Sequence, residues 1–453
     1  MLPVEQPVTK AIAVRHVNRV VINFLILCTF LCFILLGGSV SNYNTNRRAF
    51  ANPLVSFPIL RGMIGRKGWI NVAERFETKT VHIGHDPLRG VKSKSTPIYQ
   101  TSVFAFDGLE EVEQYYVGEG EYLYTRNGNP NQAELARAIA VLEGAEAGVS
   151  AASGMGAIMA GLLAVLSHGD HVLASHEIYG GTYALLHKEL SRFGIELECI
   201  QLGQMTKLAD HVRPTTRLFF LETITNPLLT VVDLPYWIKE AKSLGLTVMV
   251  DNTFATPYLV QPISFGADLV VHSGTKYIGG HSDVTSGVLV GSQATIKRAT
   301  EVVANYGASL SPFEAWLTSR GLKTLAVRME RQCDNASQIA AFLREHTAVG
   351  QVYYPSPTDT FFFSRQKQGA MVSFVLADET KIYDFYRALD WIQLAPSLAG
   401  VETSVSHPVT TSHRAFSEEQ RKETGITMGL VRLSVGIEAV QDIQAALDAA
   451  LGK

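Results

Sequence analysis

The sequence predicts an α/β fold: a doubly wound, mostly parallel sheet with helices on both faces, followed by a smaller α+β C-terminal domain. Three observations carry this. From about Asn129 onward, apolar runs of strand length alternate with amphipathic stretches. The alternation stops near Lys323, where a long helical tract and isolated strand-like runs take over. The composition, 47% hydrophobic and 18% charged with 37 glycines in 453 residues, supplies core for about three domains or two large ones. It excludes collagenous, disordered and polyelectrolyte chains.

Residues 1–70 stand apart. Before residue 70, Lys10, Arg15, Arg19, Arg47, Arg48, Arg61, Arg66 and Lys67 face the single acid Glu5, a net of +7 in a chain whose total is −3. Within this extension residues 20–40 carry no charge, and at ~1.5 Å per residue the run roughly spans a bilayer core. It reads as a signal anchor, as a secretory signal followed by Ser39 and Ser41, or as an artefactual start with Met63 opening the globular part. The body is expected to be cytoplasmic, with an anchored or targeted form if the extension is genuine.

The body is justified element by element. Asn129-Pro130 with Gln132 predicts a helix start, Asn129 capping, Pro130 at the first position and Gln132 reaching back. Leu135, Ile139 and Leu142 share one face, and Gly144 ends the helix. Strands follow at HVLAS near Val172, IELECI near Ile195, RLFFLE near Phe219, LTVMVDN near Val248 and DLVVHS near Val270. Helical stretches at 180–193 and 234–244 separate several of them. In the tail, MERQCDNASQIAAFLREH reads as a long helix, AMVSFVL and LVRLSVG as strands, and residues 440–451 as a terminal amphipathic helix. The four cysteines, Cys28, Cys32, Cys199 and Cys333, have no metal-ligand spacing, so free thiols and no metal are expected.

Ligands of such sheets bind beyond the carboxyl ends of the strands. There LTVMV runs into Asp251 and DLVVH into Ser273-Gly274-Thr275-Lys276. Taken singly, an Asp after a strand is more often a turn or cap residue and a loop Lys more often solvated. Together, an acid and a lysine at one sheet edge suit pyridoxal 5′-phosphate: the lysine bonds the aldehyde, and the carboxylate keeps the pyridine nitrogen protonated so that the ring accepts carbanion charge. Residues 152–158, ASGMGAI, precede an apolar helix whose first N–H groups can cradle a phosphate, with Ser273 and Thr275 adding hydroxyls. Tyr179 follows a strand and suits stacking on a planar ring, but taken without the other motifs it reads as an ordinary core aromatic.

The ordered set YLYTRNGNP (122–130), SGMGAI (153–158), YGGTY (179–183), VDNTFATPYL (250–259), HSGTKYIGGHSDVTSG (272–287) and GLVRLSVGIE (429–438) resembles the Cys/Met-metabolism family of pyridoxal-phosphate enzymes. That family includes cystathionine γ-synthase, cystathionine γ-lyase, methionine γ-lyase and O-acylhomoserine sulfhydrylases. The resemblance runs from about Phe76 to the C-terminus. It implies a fold-type I, aspartate-aminotransferase-like transferase with an N-terminal arm at 71–128 reaching a neighbouring subunit, a cofactor-binding large domain at 129–327 and a small domain at 328–453. By the same resemblance Lys276 is the Schiff-base lysine, Asp251 pairs with the pyridine nitrogen and Tyr179 stacks on the ring and serves as acid. Gly154, Met155, Ser273 and Thr275 hold the phosphate, Tyr124 and Arg126 reach it from the neighbouring subunit, and Asn226 lies near the phenolic oxygen. Arg432 clamps the substrate α-carboxylate, with Ser397 beside it. The implied assembly is a homotetramer of two dimers. The implied reaction is elimination or replacement at Cγ or Cβ of a sulfur amino acid or O-acylhomoserine, with a thiol as partner.

Three departures bear on the substrate. Ala184 stands where cystathionine-handling relatives often carry Arg, the block Pro396-Ser397-Leu398-Ala399-Gly400 replaces E-S-L-G-G, and Gly181 stands where well-known methionine γ-lyases place Cys. The first two weaken a hold on a distal carboxylate. The stretch 354–368 also fits the family poorly. Rival readings are a nicotinamide-dependent dehydrogenase, whose glycine spacing is absent, and a membrane-tethered binding protein, which does not need Lys276, Asp251, Tyr179 and Arg432 together.

Overall fold

The computed structural model describes residues 74–82, 93–203, 205–414 and 417–452. The apolar run at 20–40, with Cys28 and Cys32, lies outside the described residues. No helix among the described residues is long and apolar enough to cross a membrane. Cys199 and Cys333 are free thiols.

The larger sheet is built from β1 (Ala147–Ala151), β2 (His171–Ser175), β3 (Glu196–Ile200), β4 (Thr216–Glu222), β5 (Thr247–Asp251), β6 (Leu269–Ser273) and β7 (Gly287–Gly291), in the order β1-β7-β6-β5-β4-β2-β3. Neighbours from β6 to β3 pair in parallel, whereas β7 is antiparallel to both β1 and β6. The strands LFFL and VMV are continuously apolar because both faces are covered. Phe219, Leu221, Val248 and Val250 pack with the helices Pro130–Glu143 and Leu234–Ser243. Leu218, Phe220, Met249 and Val271 point the other way, onto Gly154–Val165 and Gln293–Tyr306. This period-2 alternation makes each central strand a shared wall of two cores.

All five predicted strands of this sheet are present. Two further strands, β1 and β7, escape the sequence reading: AGVSA lacks bulky residues and GVLVG is bounded by the glycines that mark turns. Asn129 caps its helix through the Asn131 N–H, and Gly144 closes it at φ 77°. Gln132 does not reach back; its buried amide donates instead to the carbonyls of Thr125 and Leu310, tying the helix to its neighbours. Residues 180–193 are not one regular helix. An α-turn (Gly180–Ala184) passes into a π segment (Leu185–Glu189) and a 3₁₀ turn (Leu190–Phe193), after two glycines and no side-chain cap leave the start weakly specified.

The second sheet has the order β10-β11-β12-β9-β8, from β8 (Val349–Tyr353), β9 (Met371–Leu376), β10 (Gln393–Leu394), β11 (Ser404–Ser406) and β12 (Leu430–Ser434). Its apolar face, including Phe374 and Leu433, meets Ile339 and Leu343 of the helix Leu325–Glu345 and Ile443 and Leu447 of the terminal helix Val440–Leu451. The opposite face of this sheet, carrying Arg432 on the central strand β12, contributes one wall of the site.

Candidate active site

Strands β1, β2, β4, β5 and β6 share one direction, so their carboxyl ends open on one side of the sheet. A cavity of about 520 Å³ lies there, lined from these ends and from the second sheet. It brings together Gly154, Met155, Tyr179, Asn226, Asp251, Ser273, Thr275, Lys276, Ser397 and Arg432.

The loop between β1 and its helix lines the cavity with Ser153, Gly154 and Met155. Ser153 caps the helix Gly154–Val165, its Oγ accepting from the Gly156 N–H at 3.1 Å, which leaves the first helical N–H groups directed outward. Gly154 is required by space: a Cβ there would lie 2.8 Å from Cβ of Ser273. Thr275 braces the facing turn, its Oγ accepting from the Ser286 N–H at 3.0 Å.

At the floor, Asp251 ends β5. Its Oδ1 accepts from the Thr253 N–H at 3.0 Å and from the Thr253 hydroxyl, while Thr253 Oγ accepts from the Ser273 N–H at 2.9 Å, so one threonine joins the ends of β5 and β6. Lys276 follows β6 and donates from Nζ to Ser397 Oγ at 3.1 Å. Burial, and then the Arg432 charge, lowers the Lys276 amine to about 8, so free base is accessible near neutral pH. Arg432, 5% exposed, donates from Nη1 to Asn226 Oδ1 at 2.7 Å and from Nη2 to the Ser397 carbonyl at 3.2 Å. Its Nε is buried without a partner.

Tyr179 is 43% exposed and overhangs the cavity, its ring so close to Gly181 that a Cβ on that glycine would meet Tyr179 Cε1 at 2.5 Å. Ala184 does not line the cavity. Tyr124 and Arg126 lie outside it as well: Tyr124 is 41% exposed, and Arg126 stacks over its ring and donates to the Ala304 carbonyl at 3.0 Å. Sequence reasoning missed Glu222, the buried last residue of β4, whose register partner is Asp251. The signal was available, since RLFFLE ends at the same sheet edge as LTVMVD.

These residues fit pyridoxal 5′-phosphate. A glycine-lined helix start, an amine lowered to about 8 and a hydrogen-bonded acid without a Lys or Arg partner among the described residues all line the one cavity.

Comparison with known proteins places the chain among relatives. The family model described as Cys/Met metabolism PLP-dependent enzyme matches residues 77–452. An L-methionine gamma-lyase of Porphyromonas gingivalis is 41% identical over 382 residues, covering 82% of this chain and 96% of the relative. A cystathionine beta-lyase of Lactococcus lactis is 40% identical over 383 residues, covering 83% and 99%. The crystal structure of a cystathionine gamma synthase from Xanthomonas oryzae superimposes with a TM-score of 0.77 at 39% identity, covering 83% of this chain and 97% of that one.

Proposed function

The chain belongs to the Cys/Met-metabolism PLP-dependent enzymes, and from that premise we propose that it eliminates the γ substituent of a sulfur amino acid whose side chain is uncharged. The observation that carries this is the charge of the cavity wall. Its only described cations are Lys276 and Arg432, while Met155, Ile158, Ile224, Phe254 and Leu398 supply apolar surface. With Arg432 engaged by the α-carboxylate, a second carboxylate would be desolvated unpaired.

Bound pyridoxal 5′-phosphate supplies the electron sink that makes loss of the α-proton accessible. The other tasks fall to the chain. Lys276 would hold the cofactor covalently, and its free amine would take the α-proton; a lowered pKa suits a base at neutral pH. Asp251, fixed by Thr253, presents a carboxylate to the ring nitrogen. Gly154, Met155, Ser273 and Thr275 would hold the phosphate at the helix start. Asn226 orients the Arg432 guanidinium, which clamps the substrate carboxylate with Ser397 alongside. Tyr179, at the cavity wall, would cover the ring, and its hydroxyl would protonate the leaving sulfur.

The exposed Tyr124–Arg126 pair supports a site completed across an oligomer, each contributing to the phosphate of a second copy. The free Cys199 and Cys333 support a cytoplasmic catalytic body. The test is a comparison of kcat/KM for methionine and cystathionine, expected to favour methionine by at least about tenfold. Preference for cystathionine would overturn the reading.

A further inference from the structure

Two carboxyls end adjacent parallel strands at the cavity: Glu222 on β4 and Asp251 on β5 are register partners. Among the described residues neither is ion-paired. The groups that face Glu222 are Asp251 beside it, Tyr179 above it, and Lys276 and Arg432 across the cavity; His272 on β6 acts on Asp251 from behind. Lys276 is bonded to Ser397, and Arg432 to Asn226 and the Ser397 carbonyl, so both cations are committed elsewhere. Two neighbouring carboxyls, Glu222 buried and Asp251 half-buried, with no cation paired to either, do not both ionise.

The hydrogen bonds decide which one keeps its charge. Burial raises the Asp251 carboxyl too, but Asp251 accepts from both the N–H and the hydroxyl of Thr253, which favour a carboxylate and oppose that rise. Glu222 accepts one bond, from the Tyr179 N–H to Oε1 at 2.6 Å; this favours a carboxylate less than the two bonds to Asp251 do, and the carbonyl oxygen of a neutral acid also accepts it. Tyr179 opens the short helix Gly180–Ala184 without a side-chain cap of its own, so this bond is an anchor from its backbone to the sheet.

We propose that Glu222 is a positioning residue: a neutral carboxylic acid that pins the Tyr179 backbone over the cavity floor and leaves the negative charge there to Asp251. Burial first, and then the Asp251 charge, pushes the Glu222 carboxyl well above the usual range, in agreement with the geometry. A carboxylate at Glu222 would compete with Asp251 for the same cationic ring and repel it. The inference rests on the roles given above to Tyr179 and Asp251, but not on the substrate.

The test uses the full-length holoenzyme labelled with ¹³C-glutamate. Infrared spectra at neutral pH are expected to contain an isotope-shifted protonated-carboxyl band that disappears in Glu222→Gln. In kinetics, Glu222→Ala is expected to lower kcat about 100-fold by releasing Tyr179, and Glu222→Gln, which restores a neutral acceptor, to recover activity to within about tenfold of the parent. Absence of the band, its survival in Glu222→Gln, or a Gln variant as impaired as the Ala variant overturns the proposal. Should Glu222→Ala not fold, the band and the Gln variant decide the matter. Because the band is read without substrate, a wrong substrate assignment leaves this test intact.

Discussion

At the scale of single residues, the site depends on what burial does to charge. Lys276 is the clearest case. A base acts above its own pKa, so activity is expected to rise with pH through about 8, the value to which burial and the Arg432 charge lower the amine. A rise only in the ordinary lysine range would contradict the assignment. Lys276→Ala is expected to lose at least about 10³-fold in kcat and to release all cofactor on denaturation after borohydride treatment, whereas the parent retains it covalently. The sequence made the chemistry-bearing types legible here, because Asp251 ends, Lys276 follows within three residues and Arg432 lies within a strand that its own apolar pattern announces. Glu222 was missed for a related reason. It carries no motif, and its position matters only once β4 and β5 are known to be neighbours.

Elements set those residues in place through backbone contacts that sequence pattern does not reveal. Parallel strands deliver their carboxyl ends to one side, and this much follows from alternation alone. The antiparallel insertion of β7 between β1 and β6 does not, because short, glycine-bounded strands carry little signal. The turn after Lys276 shows a second kind of hidden dependence. Arg328, 3% exposed on the helix Leu325–Glu345, donates to the carbonyls of Tyr277 at 2.7 Å and Gly321 at 2.9 Å and from Nε to Thr324 Oγ at 3.0 Å. Its task is to saturate buried acceptors just behind the lysine. Arg328→Ala is therefore expected to destabilise the chain by about 2–3 kcal/mol, read from denaturant midpoints at constant m. A change below about 0.5 kcal/mol would show that water replaces the guanidinium freely. Ala399 offers a further contrast: at φ 72° it holds the left-handed backbone that favours glycine, in the block where the family motif has one.

At the scale of the whole molecule, two sheets meet around the cavity, yet the described cavity does not contain Tyr124 or Arg126. If those residues complete a second copy's site, then Arg126→Ala and Lys276→Ala chains, each impaired alone, regain up to about a quarter of the parent activity when subunits are mixed in equal amounts and exchanged. No recovery under demonstrated exchange would mean that each chain builds its site alone. Fold class was legible from the alternation, and family from six motifs in order, three of which follow strands that the alternation predicts. Substrate choice was less so: it depends on which side chains reach the cavity, and Ala184 does not. The central claim, γ-elimination from an uncharged side chain, is tested most directly by mass spectrometry of the products that the full chain with its cofactor forms from methionine. The account predicts 2-oxobutanoate, methanethiol and ammonia in equal amounts; a new thioether without keto acid, or no turnover of methionine by cofactor-loaded enzyme, would contradict it.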